Sequence, residues 1–443
     1  MLTVNSKYKI TFKEKRMKLN YKRTILVGFA FFLICAFWQA YDNIVPLILK
    51  HRFDMSETWS GVIMALDNVF AVFLLPIFGN LSDKTHSRFG RRTPYIVIGT
   101  AAAAIFFSIL GFVDTLPVFI AILLGSLLSM AVFRSPAVAL MPDVTVKPLR
   151  SKANAIINLM GTAGGIIILL LATPFHTSDE GKTDFGPYLL ATVGVMLIGL
   201  VLFLLTVREP KWAKDMEEES AKLGRDAESE ERDERGGHLS RSQFTSLLLL
   251  LASVALWYIG YNAVTSKYSV YATDILGVSY SLTLLIAQGA AIISYIPVGM
   301  LASKFGRKKT ILAGVALLTL SFAGAYFVQP GTSEVLMYVL FSLAGIGWAT
   351  INVNSFPMVV ELAKGSDVGK YTGYYYTASM AAQVVTPVLS GALMDAFGMR
   401  NVFFPYAAIA CALAFVTMMF VRHGDSKPVP AASKLEALNV DAD

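Results

Sequence analysis

The stretch GNLSDKTHSRFGRRTPYIVIGT, residues 79–100, returns as GMLASKFGRKKTILAG at residues 299–314. Aligned on Gly79 and Gly299, both read G-x-L-x-x-K, then F-G-R-[RK], then an apolar run. The first copy carries four additional residues, Thr85 to Arg88. The copies stand half a chain apart in 443 residues, which points to a duplicated unit. Each copy packs several charges between two long apolar segments, and the rest of the chain explains that setting.

Composition excludes a soluble globular protein. The chain is 55% hydrophobic and 16% charged, with a mean hydropathy of +0.57. A run of about 20 apolar residues crosses the bilayer core at ~1.5 Å rise per residue. Twelve such runs are expected, at 24–49, 57–81, 94–113, 117–141, 153–173, 187–207, 244–271, 280–302, 309–328, 334–358, 371–395 and 402–421. Most lack the polar stripe that a soluble helix shows. Each charged copy follows the second span of a six-span set. The expected fold is an all-α membrane protein of twelve transmembrane helices in two pseudo-symmetric halves, as parallel repeats produce. The halves run over 24–207 and 242–422, joined by a solvated, charged linker at 208–241. Tails at 1–23 and 423–443 complete the chain.

Lysine and arginine set the orientation. With a cytoplasmic N-terminus, the short inner loops carry thirteen of them and the outer loops four. Both tails and the linker then lie inside, in a multi-pass protein of the cell membrane. The basic tail from Lys7 to Arg23 fits that side. The apolar run from Thr24 to Leu49 is too long for a cleavable signal and lacks a small-residue cleavage site. The pI near 9.1 reflects this topology and implies no nucleic-acid partner. Cys35 and Cys411 both fall inside spans, as packing residues. The five histidines show no metal-ligand spacing. No metal site, nucleophile–base pair or phosphate loop suggests an enzyme.

The duplication and the G-x-x-x-D-…-G-R-[RK] signature resemble the major facilitator superfamily over essentially the whole chain. The resemblance implies a cytoplasmic latch at Gly79, Asp83, Gly90, Arg91 and Arg92. There the aspartate faces a helix N-terminus of the other half, and the arginine pairs with an acid ending the fourth helix. Arg307 holds the equivalent place in the second copy, where Ser303 replaces the aspartate and a weaker latch is expected. SDKTHSRFGRRTPYIVIG, with its four-residue insert, is similar to the sucrose-carrier and glycoside–pentoside–hexuronide cation symporter branches. RSPAVALMPDV at 134–144, followed by ANAIINLMGTAGG, is similar to the sucrose-carrier fourth helix, with Val138 departing from its pattern. GIGWATINVNSFPMVVELA at 345–363 resembles that branch's tenth helix. The sodium-coupled type carries two aspartates in its second helix, and here those positions are Ala71 and Leu75. The resemblance therefore implies a proton as the coupling ion in place of sodium, with no further cofactor.

A sugar presents paired hydroxyls and an apolar face, so its site needs amides, carboxylates and rings. The first span offers Trp38, Gln39, Tyr41, Asp42 and Asn43, with Gln39 and Asn43 on one face at i,i+4. The seventh offers Trp257, Tyr258, Tyr261 and Asn262. Gln288, Asn352, Asn354 and Gln383 add amides in spans eight, ten and eleven. Membrane helices also use amides to bind one another, so the cluster on spans one and seven carries more weight than any single amide. Intramembrane charges are costly and point to function. Asp42, Asp67, Arg134 and Glu361 rank highest, with Asp143 near the end of span four. Asp143 has two readings: proton carrier by the sucrose-carrier match, or partner of Arg91 or Arg92 by the latch match. Arg134 is expected to pair with Asp42 or Asp67. Lys267, Asp395 and Asp114 read as ordinary interfacial charges. The expected function is proton-coupled import of a sugar such as sucrose or maltose, by a monomer in the lipid bilayer. The alternative is export of a drug-like or lipid-linked compound.

Overall fold

The computed structural model of the chain describes residues 19–146, 149–173, 184–227, 239–332, 334–362 and 368–425. Most of the basic tail, linker residues 228–238, the tail beyond 425 and the side chain of Ser303 lie outside the described residues. The first half contains α1 (Tyr21–His51), α2 (Glu57–Asp83), α3 (Thr93–Leu110), α4 (Leu116–Asp143), α5 (Arg150–Ala172) and α6 (Gly186–Thr206). The linker opens as a helix, α7 (Glu209–Ala227). The second half contains α8 (Arg241–Thr265), a short α9 (Tyr268–Val270) with a π-helical turn at Tyr271–Leu276, and α10 (Tyr280–Phe305). It continues through α11 (Arg307–Tyr326), α12 (Glu334–Val360), α13 (Val368–Phe397) and α14 (Met399–Met419). Among the described residues eleven helices are long and apolar enough to cross a membrane, and α10, 26 residues long with an apolar stretch at Tyr280–Tyr295, stands as the twelfth.

Each of the two halves has its own core. Phe37, Phe107, Phe119, Phe133 and Phe203 are fully buried in the first, Trp257, Tyr268, Tyr271 and Phe322 in the second. Pairing repeats between them: α1 on α5, α3 on α4, α2 on α4 and α3 on α6 recur as α8 on α13, α11 on α12, α10 on α12 and α11 on α14. Lipid gives such helices little hydrophobic drive, so close packing through small residues holds them together. Gly314 and Gly347 each leave room for the other's carbonyl, and Gly164 sits against the carbonyl of Phe32.

The halves meet where α2 packs on α13 and α5 on α10. A Cβ at Gly61 would stand 2.0 Å from the Pro387 carbonyl oxygen, and one at Gly391 would stand 2.3 Å from that of Glu57. Helix backbones touch directly along this seam. The molecule has two ends. One, the basic face, gathers the starts of α1, α3, α8 and α11 and the ends of α2, α4, α10, α12 and α14. The other, the far face, gathers the end of α1, the start of α2 and the ends of α8 and α13. Ser56 caps α2 at the far face by accepting from Trp59 N, and Ser240 and Gln243 form a capping box on α8 at the basic face.

Candidate functional site

At mid-depth the first half supplies charge. Asp42 of α1 and Asp67 of α2 both lie within electrostatic range of Arg134 on α4. The expected direct pair is not formed: among the described residues Arg134 makes no hydrogen bond or salt bridge. Its guanidinium lies over the Trp38 ring, 5.4 Å from the centroid. Asp67 accepts instead from the backbone and side chain of Asn68, at 2.5 and 2.7 Å. Trp38, Asp67 and Arg134 line a narrow crevice together with Ala71 and Leu75. Those last two are the positions where the resemblance to the cation-symporter branch implies aspartates in a sodium-coupled protein. Here they put methyl and isobutyl groups beside Asp67.

Facing this cluster, the second half supplies rings. Tyr261 stacks on Trp348 with centroids 3.6 Å apart and planes at 1°, and Tyr258 meets the same indole edge-on at 5.2 Å. Asp42 lies within electrostatic range of Tyr261, so acid and rings share one region of the seam. Gln288 Nε2 donates to Gln39 Oε1 across the seam at 2.6 Å, over Gly165. Among the described residues several buried polar atoms here have no hydrogen-bond partner: Trp38 Nε1, Tyr41 Oη, Asn43 Oδ1, Asn262 Nδ2 and Gln288 Oε1. Not every amide is available. Asn43 spends its donor on the Gln39 carbonyl at 2.7 Å, and Asn354 on the Thr350 carbonyl at 2.9 Å. Asn352 and Gln383 are half-buried, and among the described residues neither hydrogen-bonds within this cluster.

The signature loop forms an ionic corner at the basic face. Asp143, the last residue of α4, takes Arg91 in a two-point contact, Nη2 to Oδ1 at 2.6 Å and Nε to Oδ2 at 3.0 Å. It also accepts from Arg92 Nε at 2.7 Å. The hydrogen bond that Arg91 donates to the Asp143 carboxylate holds the Arg91 pKa above its ordinary value. Arg92 is buried at 4% exposure and reaches on to Asp83 and Ser82. Among the described residues the partner of Asp83 is this arginine of its own half, where the resemblance implied a helix of the other half. Glu209 completes the corner. Its carboxylate accepts from Arg91 N, Arg92 N and Thr93 N at 2.7, 2.9 and 2.8 Å, and from Thr93 Oγ1 at 2.7 Å. A carboxylate on three amides at a helix start satisfies groups that α3 leaves without partners. Gly90 turns there at φ +105°, and a Cβ would stand 2.2 Å from the Glu209 carboxyl carbon.

The second copy repeats this corner with other residues. Arg307 pairs with Glu361 at 2.5 Å. Glu361 thus lies just past α12 at the basic face, outside the intramembrane position expected for it. Asp425 takes the place of Glu209, accepting from Lys308 N at 2.8 Å, and Gly306 turns at φ +94° against it. Lys308 Nζ donates to the Met419 and Val421 carbonyls at 2.8 and 2.6 Å.

Charges expected to be ordinary form the strongest ties at the far face. Lys267 has 0% exposure and donates to Glu57 Oε2 at 2.7 Å and to the Glu57 carbonyl at 3.1 Å. Asp395 accepts from Glu57 N and Thr58 N, each at 2.8 Å, and from Thr58 Oγ1 at 2.5 Å. His51 lies 2.9 Å from Asp274. All of these contacts run between the halves.

Glu209, Trp348, Lys267 and Asp395 are therefore the residues that sequence reasoning passed over. Trp348 had a signal, an indole among glycines in a helix already singled out. Glu209 had none, because it opens a segment rich in both charges.

Comparison with known proteins gives the family and the fold. The family model described as Major Facilitator Superfamily matches residues 27–358 and 279–440. The multidrug resistance protein MdtG of Dickeya zeae is 21% identical over 423 residues, 94% of this chain and 96% of that protein. The MFS-type transporter ppzB of Metarhizium rileyi is 30% identical over 115 residues, covering 26% of this chain and only 23% of that protein. Among solved structures, the nucleoside transporter NupG superposes with a TM-score of 0.63 at 14% identity, covering 91% of this chain and 100% of its own. A peptide transporter POT in complex with sulfate gives 0.66 at 13%, covering 90% and 93%. At these identities the likeness to solved structures concerns the fold.

Proposed function

The chain belongs to the Major Facilitator Superfamily, and we propose that it imports a sugar or glycoside together with protons, by alternating access. A disaccharide such as sucrose or maltose is the favoured substrate. The basic face is cytoplasmic in this reading, since it gathers the lysine- and arginine-rich loops. Both termini then lie on the cytoplasmic side of the cell membrane, and a single chain suffices.

One observation carries the substrate class. Unpartnered donors (Trp38 Nε1, Asn262 Nδ2) and acceptors (Asn43 Oδ1, Gln288 Oε1) occur on both halves, near the Gln39–Gln288 pair and the Tyr261–Trp348 stack. A buried polar atom without a partner costs ~1–3 kcal/mol. Sugar hydroxyls donate and accept at once, and the apolar face of the ring suits the stacked aromatics. Asp42 and Asp67 supply carboxylates that can take a proton beside this region, and Arg134 stands within electrostatic range of both. The apolar Ala71 and Leu75 support protons over sodium.

Purified protein in liposomes, offered a panel of labelled disaccharides, tests this reading. Saturable accumulation that follows an imposed acid-outside gradient and ignores sodium is expected. Sodium-driven uptake at fixed pH would overturn the coupling, and no saturable sugar flux would overturn the substrate class. A second reading, proton-driven efflux of an organic cation, is favoured by the multidrug resistance name of the full-length relative. Two acids beside aromatic rings also suit a cation. Outward pumping of a lipophilic cation with no sugar flux would select it.

A further inference from the structure

The far-face cluster belongs neither to the mid-depth site nor to the signature corners. Lys267, on the second half, is fully buried, and an unpaired ammonium cannot be held there without large cost. Its partner comes from the first half: the carboxylate and the carbonyl of Glu57, the first residue of α2. Asp395, also on the second half, holds the same turn from the other side through the amides of Glu57 and Thr58. One base and one acid of the second half thus grip a single helical turn of the first, the base on its acceptors and the acid on its donors. Glycines at 61 and 391 let the backbones close around the grip.

We propose that Lys267 and Asp395 are positioning residues of the outer gate, a two-sided clamp on the first turn of α2 that holds the outside shut. This rests on the alternating-access reading, in which the far face must open and close in each cycle. The clamp is built to release. Lys50, on the first half, already stands 3.4 Å from Glu57, and Asp395 lies within electrostatic range of Lys267. When the halves part, Glu57 keeps Lys50 and Lys267 keeps Asp395. Each half leaves with one acid and one base, so neither surface is left with an uncompensated charge. Surface anchors at a membrane interface would need no such cross-seam pairing.

The test places spin labels at Asp54→Cys and Phe397→Cys, on opposite halves of the far face, in a Cys35→Ala, Cys411→Ala background. A second pair, Lys84→Cys and Lys304→Cys, reports the basic face. Pulsed dipolar spectroscopy gives each distance distribution. Lys267→Gln and Asp395→Asn are each expected to raise the long-distance fraction at the far face several-fold. Lys267→Arg, which keeps the charge, is expected to restore most of the short fraction. Thr58→Ala, which removes one Asp395 contact, gives a smaller shift and serves if the stronger variants fail to fold. Unchanged far-face distances in the folded variants would overturn the clamp. Lengthening there without shortening at the basic face would leave the clamp standing and refute alternating access. Neither distance depends on which substrate is carried.

Discussion

At Gly90 the turn before α3 is closed by Glu209, two arginines and Asp143, with Asp83 attached; at Gly306 the turn before α11 is closed by Asp425, one arginine and Glu361. The left-handed glycine, the acid on the helix start and one arginine–carboxylate pair are common to both. Those three elements are what the fold requires. The first corner adds the buried Arg92 and its bonds to Asp83 and Ser82, where the second has Lys308 capping the end of α14. The contrast deepens at mid-depth, where Asp42, Asp67 and Arg134 all belong to the first half and Tyr258, Tyr261 and Trp348 all face them from the second. Duplication supplied one scaffold, and the halves divided the chemistry between charge and rings.

The sharpest way to break this comparison is at mid-depth. Asp42→Asn is expected to abolish proton-driven accumulation while sugar exchange persists, because exchange needs alternating access but no net proton transfer. Trp348→Ala on the facing half is expected to leave coupling intact and raise KM about two- to tenfold, the ~0.5–1.5 kcal/mol of an aromatic contact. Uptake and exchange in liposomes separate the two. If Asp143→Asn uncouples and Asp42→Asn does not, the assignment from depth is wrong and the carboxylate at the basic face carries the proton.

The turns come next. Gly90→Ala combines left-handed strain of ~1–3 kcal/mol with overlap on the Glu209 carboxylate. Gly306→Ala carries similar strain but meets only Asp425 Oδ1, at 2.9 Å. Thermal unfolding in detergent should rank Gly90→Ala as clearly the more damaging; equal losses would mean that Glu209 yields as easily as Asp425.

Removing the acids at the ends of α4 and α12 should give a smaller difference. Asp143→Asn takes a shared acid from two guanidiniums, Arg91 and Arg92, and Glu361→Gln takes one from Arg307 alone. A buried pair broken on one side costs ~3–5 kcal/mol. The half-exposed Arg91 and its access to water reduce this, so about 2 kcal/mol is expected for Asp143→Asn. Glu361→Gln should cost roughly half as much, and transport rates should follow the same order. The smallest effect separates the capping acids: Glu209→Gln is expected to cost ~1 kcal/mol and Asp425→Asn less, by the same melting measurement. A larger loss at Asp425 would make the second corner the structural anchor.

What the sequence disclosed followed from contrast with its surroundings. The duplicated corner stands out because charge is rare in an apolar chain, whereas Asp143 was named as the partner of Arg91 or Arg92 only through the family resemblance, beside a proton-carrier reading. Asp42, Asp67 and Arg134 were legible as a group, although their exact contacts were not. Arg134 turned to the Trp38 ring, a choice set by where α4 faces α1. Glu209 was hidden because the linker is charged throughout and nothing local marks which acid will be buried. Lys267 and Asp395 were misjudged for a different reason. At a helix end either water or the opposite half can cover a charge, and only the packing of α2 against α13 decides which.

Where Gly61 meets Pro387 and Gly391 meets Glu57, two helices bear on each other with no side chain interposed. Such a surface behaves as a plain bearing. Interlocked side chains would have to change rotamer for one helix to roll over the other, whereas two bare backbones slide with little resistance. A bearing is also easily jammed. A bulky wedge, as in Gly61→Trp, leaves no room for the far ends to come together, and so should hold the protein in the opposite arrangement from the one described. That single substitution offers a route to the other half of the cycle, obtained through the shape of one contact and without altering any charge.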